Sequence, residues 1–243
     1  MGLGYAGTVV NLRGRPGFPR CQPGGFAISD TSPSETLAAP AAALLPALPQ
    51  MLAAMACRRS VPPAALTLPA PSDAQLRDML ALAVRVPDHG LREPWRFVIV
   101  AGEARAELGR RLAPLYRAAN PQMEPAKREK FAGIMERLFL ASPMAVVVIS
   151  RPDRACAIPV FEQELSAGAV CMNLMQAAHA SGFGAMWVTG WAATHPEAAA
   201  SIGAGEGERI AGIVHVGTAV SVPPERPRPD VAALTSFWAP PAA

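Results

Sequence analysis

Residues Arg85 to Phe97, "RVPDHGLREPWRF", bring two prolines, a histidine and three arginines into one short run. A plain connection between helix and strand needs turn residues and little else. This composition therefore marks either a solvated loop or a loop lining something anionic and aromatic. A second run, "CRRS" from Cys57 to Ser60, sets two arginines beside a hydroxyl. Such a run can present a guanidinium fork and a hydroxyl to one phosphate, a geometry that lysine does not reproduce. On spacing alone it also reads as solvated charge.

Other chemistries find no pattern. There is no G-x-S-x-G elbow, P-loop or H-E-x-x-H helix, and "GAGEGE", Gly203 to Glu208, lacks the spacing of a dinucleotide loop and reads as a turn. Cys21, Cys57, Cys156 and Cys171 form no C-x-x-C pair and no metal-like cluster with His89, His179, His195 or His215. No metal is expected, and reduced thiols point to the cytoplasm. His179 and His195 read as helix-face and helix-start residues, and His215 as a strand histidine with a hydrogen-bonded ring. A formal charge of +3 with scattered basic residues gives no nucleic-acid face.

The elements that must position these residues begin late in the chain. With 243 residues, 51% of them apolar, one substantial core can be buried. Residues 1–50 are rich in Pro, Gly, Ser and Ala without helix or strand period, and are expected to be a disordered or non-native extension preceding a domain over 51–243. The apolar run Leu37 to Ala56 is interrupted by Pro40, Pro46 and Pro49, which argues against a membrane span. From Ser72 the pattern is regular. Ser72 and Gln75 form a capping-box pair opening an amphipathic helix that Pro87 stops. Strands are expected at Arg96–Gly102, Met144–Ser150, Ala185–Gly190 and Ile210–Ala219, with helices around Glu103–Ala119, Pro125–Leu140 and Phe161–Gly184. The last helix is small or apolar nearly all round from Ala167 to Ala178, so it must be enclosed by the sheet on one side and, we expect, a second subunit on the other. The class is α+β or α/β, in three layers.

"RRS", "RVPDHGLREPWRF", "FEQELSAGAVCMNLMQAAHASGFGAMW" and "VGTA", in that order and at these separations, resemble the nitroreductase family of FMN-dependent oxidoreductases, and within it a compact NAD(P)H nitroreductase branch. The resemblance spans about residues 52 to 238. It implies an α+β, three-layer α/β/α fold with a mixed central sheet, built as an intertwined homodimer with tightly but non-covalently bound FMN at the interface. It implies that Arg58, Arg59 and Ser60 hold the FMN phosphate and ribityl chain, that Arg85 and His89 approach the flavin, and that Trp187, Val188 and Thr189 border its ring system. Ala177 to Gly182 matches a stretch that would contact NAD(P)H.

The chain departs from the family at Pro62, where larger members carry a basic residue near the flavin; Arg85 is the expected replacement. Of the two arginines in "ERPRPD", Arg228 is the expected phosphate ligand rather than Arg226. The implied reaction is ping-pong transfer of electrons from NAD(P)H through the flavin to a nitroaromatic, quinone or related acceptor. The cofactor would carry the chemistry, with no protein acid or base as catalyst. Two other readings stay open: an FMN-binding protein without turnover, and a cofactor-free structural homodimer.

Overall fold

The computed structural model describes residues 48–239, so the expectation for the N-terminal extension lies almost wholly outside the described residues. Helix α1, Pro49–Cys57, buries none of its residues. Pro49 occupies its first turn, where a missing N–H costs no helical hydrogen bond. Helix α2, Asp73–Ala83, opens on the expected capping box: the Ser72 hydroxyl accepts from the Gln75 backbone N–H while the Gln75 side chain accepts from the Ser72 N–H. The remaining helices are α3 (Ala104–Ala119), α4 (Pro125–Arg137), α5 (Val160–Ala180), α6 (Trp191–Thr194) and α7 (Pro196–Ile202).

Five strands form the sheet: β1 (Leu66–Thr67), β2 (Trp95–Ala101), β3 (Met144–Ser150), β4 (Gly184–Val188) and β5 (Arg209–Ala219). Their order is β1-β5-β3-β2, with β4 also paired to β5. Every pairing is antiparallel among the described residues, which corrects the expected mixed sheet. β5 runs opposite to β1, β3 and β4, and β2 opposite to β3, so no two adjacent strands share a direction. Two helices, α3 and α4, join the antiparallel neighbours β2 and β3. One helix, α5, joins β3 to β4, and these two strands share a direction but flank β5 rather than each other.

Side chains alternate across the pleat and build a core on each face. Trp95, Val146, Val148, Val214 and Val216 pack with α2 and α5, while Val100, Val147, Ile149 and Ile213 pack with α3, α4, α6 and α7. All seven residues of β3 are buried, as an unbroken apolar run in a central strand requires. Helices α3 and α4 touch at Gly109, where an added Cβ would lie 1.9 Å from the Glu136 carbonyl oxygen. His215 is fully buried in β5 with Nδ1 2.8 Å from the Ser142 hydroxyl, and burial pushes its pKa down to about 4. Among the described residues Cys156 and Cys171 are free thiols. Among the described residues no helix is long and apolar enough to cross a membrane.

Candidate functional site

The two arginines of "CRRS" leave the carboxyl end of α1 in extended backbone, and the chain is pinned to the sheet one residue past Ser60, where the Val61 N–H donates to the Ala185 carbonyl at 3.0 Å. Arg59 turns back on α1. Its Nη1 donates to the carbonyls of Ala56 (2.8 Å) and Arg58 (3.0 Å), satisfying helix-end acceptors, while its Nη2 pairs with Glu225. Glu225 also accepts from Nε and Nη2 of Arg228, at 3.0 and 2.9 Å. Ser60 is exposed beside this group.

Arg58 is different. Its Nη1 is buried and has no hydrogen-bond partner among the described residues. Burial, then the charges of Arg228 and Arg226, lower its pKa from the ordinary arginine value. Arg59 is lowered by burial and then by Arg228 and Arg58, and His179 near the end of α5 by burial and then by Arg58 and Arg59. Four guanidinium groups thus crowd together with Glu225 as the carboxylate paired among them. A buried, unsatisfied N–H in such a field is expensive unless an anion completes it. Clustered arginine forks suit a phosphate, so the residues present fit the phosphate end of FMN.

The loop after α2 carries the second group. Helix α5 holds it by three contacts: Asn173 Nδ2 donates to the Arg85 carbonyl (2.9 Å), the Ser166 hydroxyl to the Pro87 carbonyl (2.6 Å), and His89 Nδ1 lies 2.9 Å from a Glu162 carboxylate oxygen. The Asp88 carboxylate accepts the N–H groups of Arg92 and Glu93, and Leu91 and Glu93 adopt positive φ of 51° and 47°. Non-glycine residues hold that conformation only where the surroundings impose it. Trp95 anchors the loop in the core. The Arg85 and His89 side chains are exposed, and Glu162 fixes one nitrogen of His89 while leaving the other edge open.

Trp187, Val188 and Thr189 form the third group, at the end of β4. The Trp187 indole N–H donates to the Ala211 carbonyl at 3.2 Å, and its ring lies so close to β5 that a Cβ on Gly212 would fall 2.1 Å from Nε1. Val188 packs toward the α3 face, and Thr189 is exposed.

One chain does not bring all three groups together. Glu162, beside His89, and His179, beside Arg58, are 17 residues apart on α5, about 25 Å along its axis. That is longer than one FMN. Arg85 lies between them: its carbonyl accepts from Asn173, six residues before His179, about 9 Å along the axis. Of the segment Ala177 to Gly182, Ala177 and Ala178 are buried and His179 faces the arginines. Glu225 and His179 were not anticipated in the cluster. The acid directly before the two arginines of "ERPRPD" was the available signal for Glu225; His179 offered only its place on a helix face.

A model of the Nitroreductase family matches residues 56–218. "Putative NAD(P)H nitroreductase YdjA" of Escherichia coli K12 is 30% identical over 153 residues, covering 63% of this chain and 80% of that protein. Among solved structures, a nitroreductase-like family protein from Bacillus cereus is 26% identical with a TM-score of 0.66, covering 79% of this chain and 98% of the other. A nitroreductase with bound FMN from Desulfitobacterium hafniense shares the fold at 23% identity and a TM-score of 0.57, over 79% of this chain and all of the other.

Proposed function

Because the chain belongs to the nitroreductase family, we propose that it is an FMN-dependent oxidoreductase that draws electrons from NAD(P)H and passes them to a nitroaromatic, quinone or related flat acceptor in ping-pong order. The observation that carries this reading is the arginine cluster with the buried, unpartnered Nη1 of Arg58. When bound, FMN supplies the two-electron chemistry. The chain's own residues bind and orient. Arg58 takes the phosphate with a charge-assisted bond, Arg59 and Ser60 line the phosphate and ribityl end, and Trp187, Val188 and Thr189 border the ring system. Trp187 is fixed there by its bond to Ala211.

The site is shared between two protomers. Arg85 and His89 of one subunit approach the flavin held by the arginines of its partner, which accounts for their separation within one chain. Exposed apolar residues support a second copy as the cover: Phe161 and Leu165 lie on the face of α5 opposite its buried residues, Met51 and Met55 lie on α1, and Phe237 and Trp238 are almost fully exposed near the C-terminus. Arg85 then supplies the positive charge that Pro62 cannot.

The experiment is a titration of the purified chain with FMN and with riboflavin, followed by anaerobic NADH or NADPH and then an acceptor. Preferential FMN binding, loss of flavin colour with either nicotinamide and its return with the acceptor are expected. FMN that binds but keeps its colour would favour a binding protein without turnover. A chain that takes up no FMN would leave the structural homodimer.

A further inference from the structure

The arginine cluster contains its own competitor. Glu225 spends the Nη2 of Arg59 and the Nε and Nη2 edge of Arg228, and it also accepts the Arg226 backbone N–H at 3.0 Å. Among the donors it leaves open are the buried Nη1 of Arg58 and the side chain of Arg226. Two consequences follow from charge alone. A phosphate dianion entering the cluster meets a carboxylate already seated on two of its four guanidinium groups, and it is repelled by that carboxylate at close range. To take the fork of Arg228 it must displace Glu225 outright.

We propose that Glu225 is an internal counter-anion of the phosphate subsite, which weakens the grip on a phosphate ester and leaves Arg58 and Arg226 as its ligands, with Arg228 held back. The inference rests on the phosphate reading of the cluster given above. Its structural support is the asymmetry of the pairings and their accessibility. The Glu225 side chain is 41% exposed and that of Arg228 40%, while that of Arg59 is only 12% exposed. The segment from Ser221 to Asp230 has no helix or strand to fix it, so the carboxylate can be exchanged without breaking the fold. The pairing is enclosed on the Arg59 side and faces solvent at the carboxylate and at Arg228. The chain thereby carries four positive charges at the subsite and cancels one of them.

The test is equilibrium titration of the full chain with FMN and with riboflavin, which differ by the phosphate, comparing wild type with Glu225→Gln. Glu225→Gln keeps a carbonyl acceptor for the arginines and removes the charge. It is expected to bind FMN about tenfold more tightly, the worth of one charge-assisted contact, with riboflavin affinity unchanged. Glu225→Ala should move in the same direction, and thermal unfolding of both variants verifies that they are folded. Unchanged or weaker FMN binding in the folded variants overturns the inference, because Glu225 would then be organising the arginines for the ligand. If Arg58→Ala still lowers FMN affinity relative to riboflavin in that case, the phosphate reading survives and only the role of Glu225 falls. Equal binding of FMN and riboflavin by wild type sinks both.

Discussion

Among the described residues, Arg96 with Glu208 and the arginines around Arg58 with Glu225 are built differently. At the carboxyl end of the Gly203–Glu208 turn, Arg96 forms a bidentate pair with Glu208; the Gly205 N–H also donates to that carboxylate, and Arg96 reaches the Gly203 carbonyl. One cation meets one anion, and each also bonds the backbone of the turn. In the cluster around Arg58, four guanidiniums share Glu225, and Arg58 keeps a buried N–H with no acceptor. The contrast separates a pair that holds a turn from a cluster that keeps excess positive charge. Local excess charge, and not the presence of an ion pair, is what marks a binding site.

The sharpest way to break that contrast is Arg58→Ala. It is expected to weaken FMN binding by about 1.5–3 kcal/mol, the range for hydrogen bonds to charged groups, while riboflavin binding stays level. Isothermal or fluorescence titration reads it. Equal losses for both ligands would show that Arg58 acts on the fold and not on the phosphate.

Glu208→Gln is the mirror image. It should lower stability by about 1–2 kcal/mol in denaturant unfolding and leave FMN affinity alone. Its pH signature is also specific. Arg96 holds the Glu208 carboxyl down to about 2, so between an ordinary value of 4.5 and 2 the unfolded chain binds a proton that the folded chain does not. That stabilisation is complete above about pH 4.5 and is lost as pH falls toward 2. Glu208→Gln should flatten this limb. His215 contributes a separate, earlier limb: burial lowers it from 6.5 to about 4, so its neutral core position is fully favourable above pH 6.5 and loses ground as pH falls through about 4. His215→Gln should remove that slope alone, even if the variant is less stable at every pH. Identical acid profiles in wild type and variant would refute the assignment.

These two pairs also show what a linear reading reaches. The Ser72–Gln75 capping box and the unbroken strand Met144–Ser150 depend on neighbours within a few residues, and both were legible. Sheet direction depends on which strands end up side by side, a long-range outcome, and there the expected mixed sheet gave way to an antiparallel one. "CRRS" and "ERPRPD" each carried their arginines openly, but that Glu225 sits on Arg59 and Arg228 is a long-range contact with no local signature. For that reason Arg228, the favoured arginine of its pair by resemblance, is the one whose fork is occupied. The separation of His89 from Arg58 along α5 was equally hidden, since it is fixed by how the loop docks and not by its composition.

A smaller effect sharpens the comparison from the other side of the site. Arg85→Ala should change FMN affinity by about 1 kcal/mol or less, as befits an exposed charge, because the phosphate grip is untouched. The midpoint potential of bound FMN should nevertheless move negative in an anaerobic redox titration, since a nearby positive charge favours the cofactor's electron-rich form. An unchanged potential would make Arg85 a solvated loop residue.

FMN-dependent electron transfer from NAD(P)H is read in the visible spectrum of the FMN-loaded wild-type chain, kept free of oxygen, before and after addition of NADH or NADPH. The flavin absorbance is expected to disappear with at least one of the two and to return with added quinone or nitroaromatic. A spectrum left unchanged by both nicotinamides, with FMN demonstrably bound, would contradict that electron transfer.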